Sequence, residues 1–349
     1  MKKNIIALAI ASAVAAPIAM ADAPVIYGQV NMAVEQFNVK DNAGKTVKSA
    51  SGTQVNSVAS RIGVKGSEDL GNGLKAIYQL EFEVGIDKDD GKIKGRNQFV
   101  GLAGGFGTVL AGRHDVPTKM IQATDLFDDG VADNSLMAGG LGADGKGMET
   151  RISQALVYVS PSFSGVKLMA ALSPKENSGD LTKESELTDL YSVAIAYGSK
   201  NNGLYLAAGM DQASKAALPN GVNETAEHVR VVAQYRTGGL VANVMYQDFA
   251  GKALKDKLQG GTNIQANLGY QMGKFMPKVK VSSIDYSGST YALASTTDKA
   301  KDATNYAVGL DYALGKKTTS YVTYTMLENV YGVKKQDTDV ISVGLLHKF

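Results

Sequence analysis

Residues 263–271 read Asn-Ile-Gln-Ala-Asn-Leu-Gly-Tyr-Gln, in which large apolar side chains are separated by amide side chains. Residues 229–235, Val-Arg-Val-Val-Ala-Gln-Tyr, and residues 305–312, Asn-Tyr-Ala-Val-Gly-Leu-Asp-Tyr, follow a similar alternation. Successive side chains of a β-strand point to opposite faces. These stretches therefore predict strands with one apolar and one polar face.

Short and long connections alternate between the predicted strands. The short ones carry Gly, Asn, Ser or Pro, which supply turn dihedrals, and lie at 69–73, 104–107, 162–165, 199–203, 237–239, 273–277 and 314–317. The long polar loops lie near 37–55, 84–95, 114–150, 176–188, 212–226, 249–262, 287–303 and 328–337. Fifteen connections predict sixteen strands. Short turns at one end and long loops at the other are typical of an outer-membrane barrel.

We therefore expect an all-β fold, a sixteen-stranded antiparallel transmembrane β-barrel, formed by a single domain over residues 22–349. A secreted β-sandwich or solenoid is the soluble alternative. The polar faces of the strands are too polar to fill the core of such a fold, whereas a barrel places lipid outside and water inside.

Charge and composition narrow the function classes. Lys2 and Lys3, an uncharged stretch over 5–20 and Ala19-Met20-Ala21 predict a signal peptide over residues 1–21 that is cleaved on export. Cleavage leaves 34 basic and 34 acidic residues, a balance that does not indicate a nucleic-acid partner. No later stretch approaches 18 uncharged apolar residues, so a helical span is not predicted.

No motif predicts a cofactor, a metal site or catalysis. The absence of cysteine excludes thiol catalysis, Cys-ligated metals and disulfides. Residues 140–145 match G-x-G-x-x-G, but no strand precedes them and no helix follows, so nucleotide binding is not indicated. His114, His228 and His347 lack a Ser or acid placed by a recognisable catalytic motif. We expect no cofactor and no enzymatic activity.

Four segments, 25–30, 60–81, 96–108 and 343–349, resemble the general diffusion porins of Gram-negative outer membranes. The resemblance implies a homotrimer in contact with outer-membrane lipid and lipopolysaccharide, through which ions and small hydrophilic solutes diffuse passively. It also implies that Phe349 is recognised by the barrel-assembly machinery. The third long loop, 114–150, is expected to fold into the lumen and face basic residues on the opposite wall.

Strand parity and this resemblance select candidate residues for the narrowest part of the pore, where size and local field set selectivity. The predicted basic wall consists of Arg61, Lys75, Arg96 and Arg151. The predicted acids are Glu81 on the wall and Asp125, Asp128 and Asp129 on the loop.

Two details of the strand register are less regular. Counting from Arg96, the alternation directs Phe99 towards lipid. Ile284 and Tyr286 share the parity of the polar positions before them, which indicates either a bulge near Ser283 or a different register there.

Two other functions stay open at this point. A substrate-specific channel would carry binding residues along the lumen and show saturable flux of one solute. An adhesin or receptor would act through the external loops and show little conductance. The predicted acids and bases are compatible with either sign of ion selectivity.

Overall fold

The computed structural model describes residues 23–41, 43–88, 93–137, 149–174, 186–214, 226–253, 257–258, 260–287, 302–329 and 337–349. The predicted signal peptide and the glycine-rich motif at 140–145 lie outside this part of the chain. Within it, no helix is long and apolar enough to cross a membrane.

Strands form nearly all of the regular structure in these residues. They are β1 (Val25–Lys40), β2 (Gly52–Ser57), β3 (Arg61–Gly71), β4 (Leu74–Val84), β5 (Ile93–Gly104), β6 (Gly107–Asp115), β7 (Arg151–Val159), β8 (Val166–Ser173), β9 (Leu190–Gly198), β10 (Gly203–Ala213), β11 (Ala226–Thr237), β12 (Leu240–Ala253), β13 (Lys257–Leu258), β14 (Gly260–Tyr270), β15 (Phe275–Ser287), β16 (Ala303–Ala313), β17 (Thr318–Glu328) and β18 (Asp337–Lys348). A one-turn helix, α1 (Pro117–Met120), and a 3-10 turn (Asn134–Met137) lie between β6 and β7.

The sheet closes on itself, and every pair of neighbouring strands is antiparallel. The first strand pairs with the last, with Gln29 opposite Lys348, and its other edge pairs with β2 and β3. These two strands are halves of one wall strand, interrupted at residues 58–60, where Ala59 has a φ of 48°. Because β13 only adds two residues beside β12, the wall has sixteen strands. The predicted sixteen-stranded antiparallel barrel is confirmed.

The wall carries apolar side chains on its outer face and polar side chains on its inner face, the reverse of a soluble protein. Along β14, Asn263, Gln265 and Asn267 are at most 5% exposed, whereas Ile264 and Leu268 are at least 50% exposed. The apolar face therefore points outward, and the polar face points into the lumen, where other parts of the chain cover it. This arrangement is the one required when lipid surrounds the barrel.

Neither of the two irregularities considered near Ser283, a bulge or a different register, is present. Strand β15 pairs with β14 in one continuous register from Ser287 to Lys278. Ile284 faces inward, is 2% exposed, and forms an apolar cluster with Phe249 and Ala303. The strand is regular, and its inner face changes from polar to apolar towards the long-loop end.

The predicted outward direction of Phe99 is wrong. The pairing of β4 with β5 shifts between Leu80 and Phe82, because two residues of β5 oppose Glu81 alone. Such a β-bulge reverses the parity of all later residues in its strand. Phe99 therefore faces inward and packs against a buried cluster that includes Leu110.

Candidate pore constriction

The connection between β6 and β7 lies along the inner face of the wall. The main chain of Ile121 accepts a hydrogen bond from the Tyr205 hydroxyl at 3.1 Å, and its side chain is fully buried. Further on, the Thr124 main-chain N–H donates to Gln234 Oε1 at 2.7 Å, and Asn243 Nδ2 donates to Thr124 O at 2.9 Å. Inward-facing amides of β11 and β12 thus hold this segment against the wall.

A buried lysine of β15 fixes the next part of the loop. Lys280 Nζ lies 2.9 Å from Asp125 Oδ2 and donates to Ala132 O and Asn134 Oδ1 at 2.6 and 2.8 Å. Asp125 also accepts the main-chain N–H groups of Phe127 and Asn134. The carboxylate is saturated by these donors, so it anchors the loop and does not face the arginines as predicted.

The tip of the loop contacts the opposite part of the wall. Asp129 Oδ2 lies 2.9 Å from Arg61 Nη1 and accepts a hydrogen bond of 3.2 Å from Gln29 Nε2. Arg61 Nη2 donates to Gln29 Oε1 at 3.1 Å, which completes a three-residue ring of contacts. Asp129 has a φ of 65°, a conformation that Asp adopts more readily than most residues. Two predicted site residues, Arg61 and Asp129, are thus brought together.

Arg96 and Glu81 form a second pair within the wall itself. Arg96 Nε lies 2.6 Å from Glu81 Oε1, and Arg96 Nη1 lies 3.3 Å from Glu83 Oε2. Glu81 also accepts a hydrogen bond from the Tyr27 hydroxyl at 2.9 Å. The β-bulge described above allows Arg96 to reach Glu81 from the neighbouring strand.

Arg151 forms a third pair where the loop leaves the wall. Its Nε lies 3.1 Å from Asp115 Oδ1 and donates to Asn97 Oδ1 at 3.2 Å. Lys119 Nζ contacts the same carboxylate oxygen at 3.0 Å. The two ends of the described loop, Asp115 and Arg151, are therefore held together by charge.

Lys75 lies apart from these residues. It is exposed near the short turn before β4, six residues from Glu81 along the strand. At about 3.3 Å per residue this separation is roughly 20 Å. The structure therefore places Lys75 at the turn end of the barrel, away from the other predicted basic residues.

Asp128 lies next to Asp129 at the tip and lines the space between the tip and the wall. The surrounding wall and loop displace water from its carboxyl group, and the neighbouring carboxylates of Asp129, Asp133 and Asp125 repel its charge. These effects raise the pKa of Asp128 to about 8, against the opposing influence of Arg61. The acid is consequently neutral over much of the pH range in which ordinary carboxyl groups are charged.

A fully buried arginine also binds the loop, and the sequence reasoning missed its role. Arg230 of β11 is ion-paired with Glu149 and donates to Thr118 O at 2.8 Å. The Thr118 hydroxyl in turn donates to Asp211 Oδ2 at 2.6 Å. The inward parity of Arg230 and of Lys280 was visible in the sequence, but no signal connected them to acids more than 80 residues away.

Comparisons with known proteins agree with this geometry. The family model for Gram-negative porins matches residues 7–331. The major outer membrane protein P.IB of Neisseria meningitidis serogroup B is 31% identical over the whole of both chains. The chain belongs to the Gram-negative porin family. It is an outer-membrane barrel that forms a diffusion channel, and the family indicates a channel rather than an enzyme.

Solved structures share the fold of this porin. An anion-selective porin from Comamonas acidovorans is 23% identical and aligns with a TM-score of 0.73 over 94% of this chain and 99% of its own. The trimer form of OmpT, an outer membrane protein of Vibrio cholerae, is 16% identical and aligns with a TM-score of 0.67 over 94% and 100% of the two chains.

Proposed function

We propose that the loop tip at Asp129 and the wall at Arg61, Arg96, Glu81 and Arg151 form the constriction through which ions and small hydrophilic solutes diffuse passively. The contact of Asp129 with Arg61 carries this proposal, because it joins the loop to a wall strand far from the anchors on β11 and β15. A loop held on both sides of the lumen reduces the open cross-section.

The charges at this constriction alternate within short distances. Each of the three arginines has a carboxylate partner within 3.1 Å. Such pairs create strong local fields while adding little net charge, so a solute is selected by its size and by the orientation of its dipole. A constriction of this kind favours small polar solutes as a class and does not select one particular substrate.

Single-channel recording in planar bilayers tests the constriction. We expect Asp129→Ser and Arg61→Ser each to raise conductance and to admit larger neutral solutes in liposome swelling, because each releases the tip from the wall. Asp69→Ser, an exposed change at a short turn, is the matched control and should leave both properties unchanged. Unaltered conductance in both pore variants would contradict the proposal.

The same recordings separate the two other functions. Flux of one solute that saturates with concentration would indicate a substrate-specific channel. Correctly folded protein without conductance would indicate an adhesin or receptor that acts through the external loops.

The assembly that we propose is a homotrimer in contact with outer-membrane lipid and lipopolysaccharide. Support comes from the outward apolar face and from the trimer form of the OmpT relative. Light scattering of the purified protein should give three times the chain mass, and bilayer insertions should open in three equal steps. A monomer by both measurements would contradict this assembly.

Phe349 is proposed to carry the signal for the barrel-assembly machinery. The residue is 43% exposed, so it is accessible at the end of β18. Deletion of Phe349 should lower the amount of folded protein in the outer membrane far more than it lowers refolding yield in detergent.

A further inference from the structure

The loop tip, residues 125–132, bridges two separate parts of the wall. Asp125 is held by Lys280 on β15, and Asp129 is held by Arg61 at the start of β3. Strands β16, β17, β18 and β1 lie between these two anchors in the ring. The tip therefore spans the inside of the barrel in front of these four strands, and a space separates the tip from the wall.

That space is a cavity of about 280 Å³. On the wall side, hydroxyl groups follow one another along β17 and β18; they belong to Thr319, Tyr321, Thr323, Thr325 and Ser342. The four residues of β17 extend over six positions, a length of roughly 20 Å. The cavity is therefore long and narrow and runs parallel to the barrel strands.

The cations at the edges of this cavity are mostly neutralised. Arg61 is paired with Asp129, and Lys278 Nζ lies 2.8 Å from Asp311 Oδ1. Lys348, opposite the inward-facing Gln29, lines the turn end of the cavity and forms no ion pair with an acid among the described residues.

Two carboxyl groups that line the cavity lack a basic ion-pair partner among the described residues. Glu35 is 5% exposed and is held only by neutral donors, Asn56 Nδ2 at 2.7 Å and the Ser342 hydroxyl at 2.9 Å. Asp128 faces the cavity from the loop side. Glu35 therefore gives the cavity a negative charge beside its hydroxyl oxygens, and Asp128, whose pKa is about 8, adds a second one only at higher pH. Such a lining suits hydrated cations.

We propose that this cavity is a side passage, parallel to the arginine-lined lumen, that admits small monovalent cations and solutes bearing an ammonium group. The proposal rests on the proposed function, since it requires a water-filled barrel. It adds a second route of opposite chemistry behind the loop tip.

Cysteine accessibility tests the side passage in the assembled protein, because the chain has no native cysteine. Thr323→Cys places a thiol on the hydroxyl row, and Val322→Cys places one on the neighbouring outward position, which is 44% exposed. Gln79→Cys, an inward residue of β4, reports on the arginine-lined lumen. Each variant is treated with a cationic and with an anionic methanethiosulfonate, and modification is followed by mass spectrometry.

We expect the cationic reagent to modify Thr323→Cys at least about tenfold faster than the anionic reagent, since the passage attracts one and repels the other. Val322→Cys should react with neither, and Gln79→Cys should not share the cation preference. An unreactive Thr323→Cys, or equal rates with both reagents, would overturn the side passage. Reaction at Gln79→Cys in that case would leave the proposed function intact.

The source of the charge is tested by adding Glu35→Gln to Thr323→Cys. The ratio of cationic to anionic rates should fall by about fivefold, because one negative charge is removed without changing the shape of the side chain. An unchanged ratio would overturn the cation preference. Heat-resistant assembly on electrophoresis confirms that each variant is folded before it is compared.

Discussion

Lys280 and Asp125 form an ion pair whose two side chains are at most 2% exposed, with Nζ 2.9 Å from Oδ2. The pair joins a wall strand to a loop residue 155 positions earlier. Removing one partner of such a pair leaves an uncompensated charge, at a cost of about 3–5 kcal/mol.

We therefore expect Lys280→Met to loosen the loop. Open-channel current noise should increase, and the midpoint of thermal unfolding should fall, because the carboxylate of Asp125 is drawn towards water. Lys274→Met, an exposed lysine at the preceding short turn, is the matched control. The double variant Lys280→Met/Asp125→Leu should recover part of the lost thermal stability. Open-channel current noise in Lys280→Met that equals the wild-type noise would contradict the anchoring role.

Reversal of charge at Arg96 should change selectivity. Arg96→Glu replaces the partner of Glu81 by a second acid at the proposed constriction, so the reversal potential in a salt gradient should shift towards cations. Lys75→Glu introduces the same change of charge at the turn end, about 20 Å away, where screening by salt reduces its effect. Equal shifts in the two variants would argue against a constriction at Arg96.

Ion selectivity should depend on pH through Asp128. Its pKa is raised to about 8, so the group is neutral at pH 6 and negatively charged at pH 10. Raising the pH across this range adds negative charge to the lumen and should shift the reversal potential towards cations. Asp128→Asn should abolish most of this shift between pH 7 and 9, whereas Asp69→Asn at a short turn should preserve it. A wild-type potential that stays constant over these pH values would refute the assignment.

A methyl group at Gly28 should disturb the closure of the barrel. A Cβ built there would lie 2.3 Å from the main-chain oxygen of Arg61 and 2.6 Å from the ring of Phe349. Overpacking of this kind costs about 1–3 kcal/mol. We expect Gly28→Ala to lower refolding yield, whereas Gly105→Ala, with no atom within 4 Å, should fold normally. Matching yields would show that the seam between the first and last strands can relax.

The regular part of the wall could be predicted from the sequence because each strand repeats the same two-residue alternation. The prediction for Phe99 was wrong because one β-bulge reverses which side chains of β5 face inward. The residues around Arg96 carry no sequence signal for that bulge. Ile284 gave the opposite error. Its apolar side chain at an inward position indicated an irregularity in β15, but the strand is regular there.

The constriction was harder to predict than the wall. Arg61 and Asp129 were both named as candidates, but their contact joins residues 68 positions apart through a loop without periodicity. Asp125 and Asp129 are equally acidic in the sequence, yet one is saturated by Lys280 and the other reaches the wall. Only the path of the loop distinguishes them.

The pairing of the first strand with the last also sets an order of events. Gln29 is opposite Lys348, and the main chain of Phe349 exchanges hydrogen bonds with Gly28, so the seam uses residues from both ends of the barrel. A nascent chain lacking β18 leaves one edge of β1 unpaired, and such an edge is unsustainable in hydrocarbon. A closed barrel in the bilayer therefore requires the last residues of the chain, so the first strand gains its second partner only when synthesis is complete.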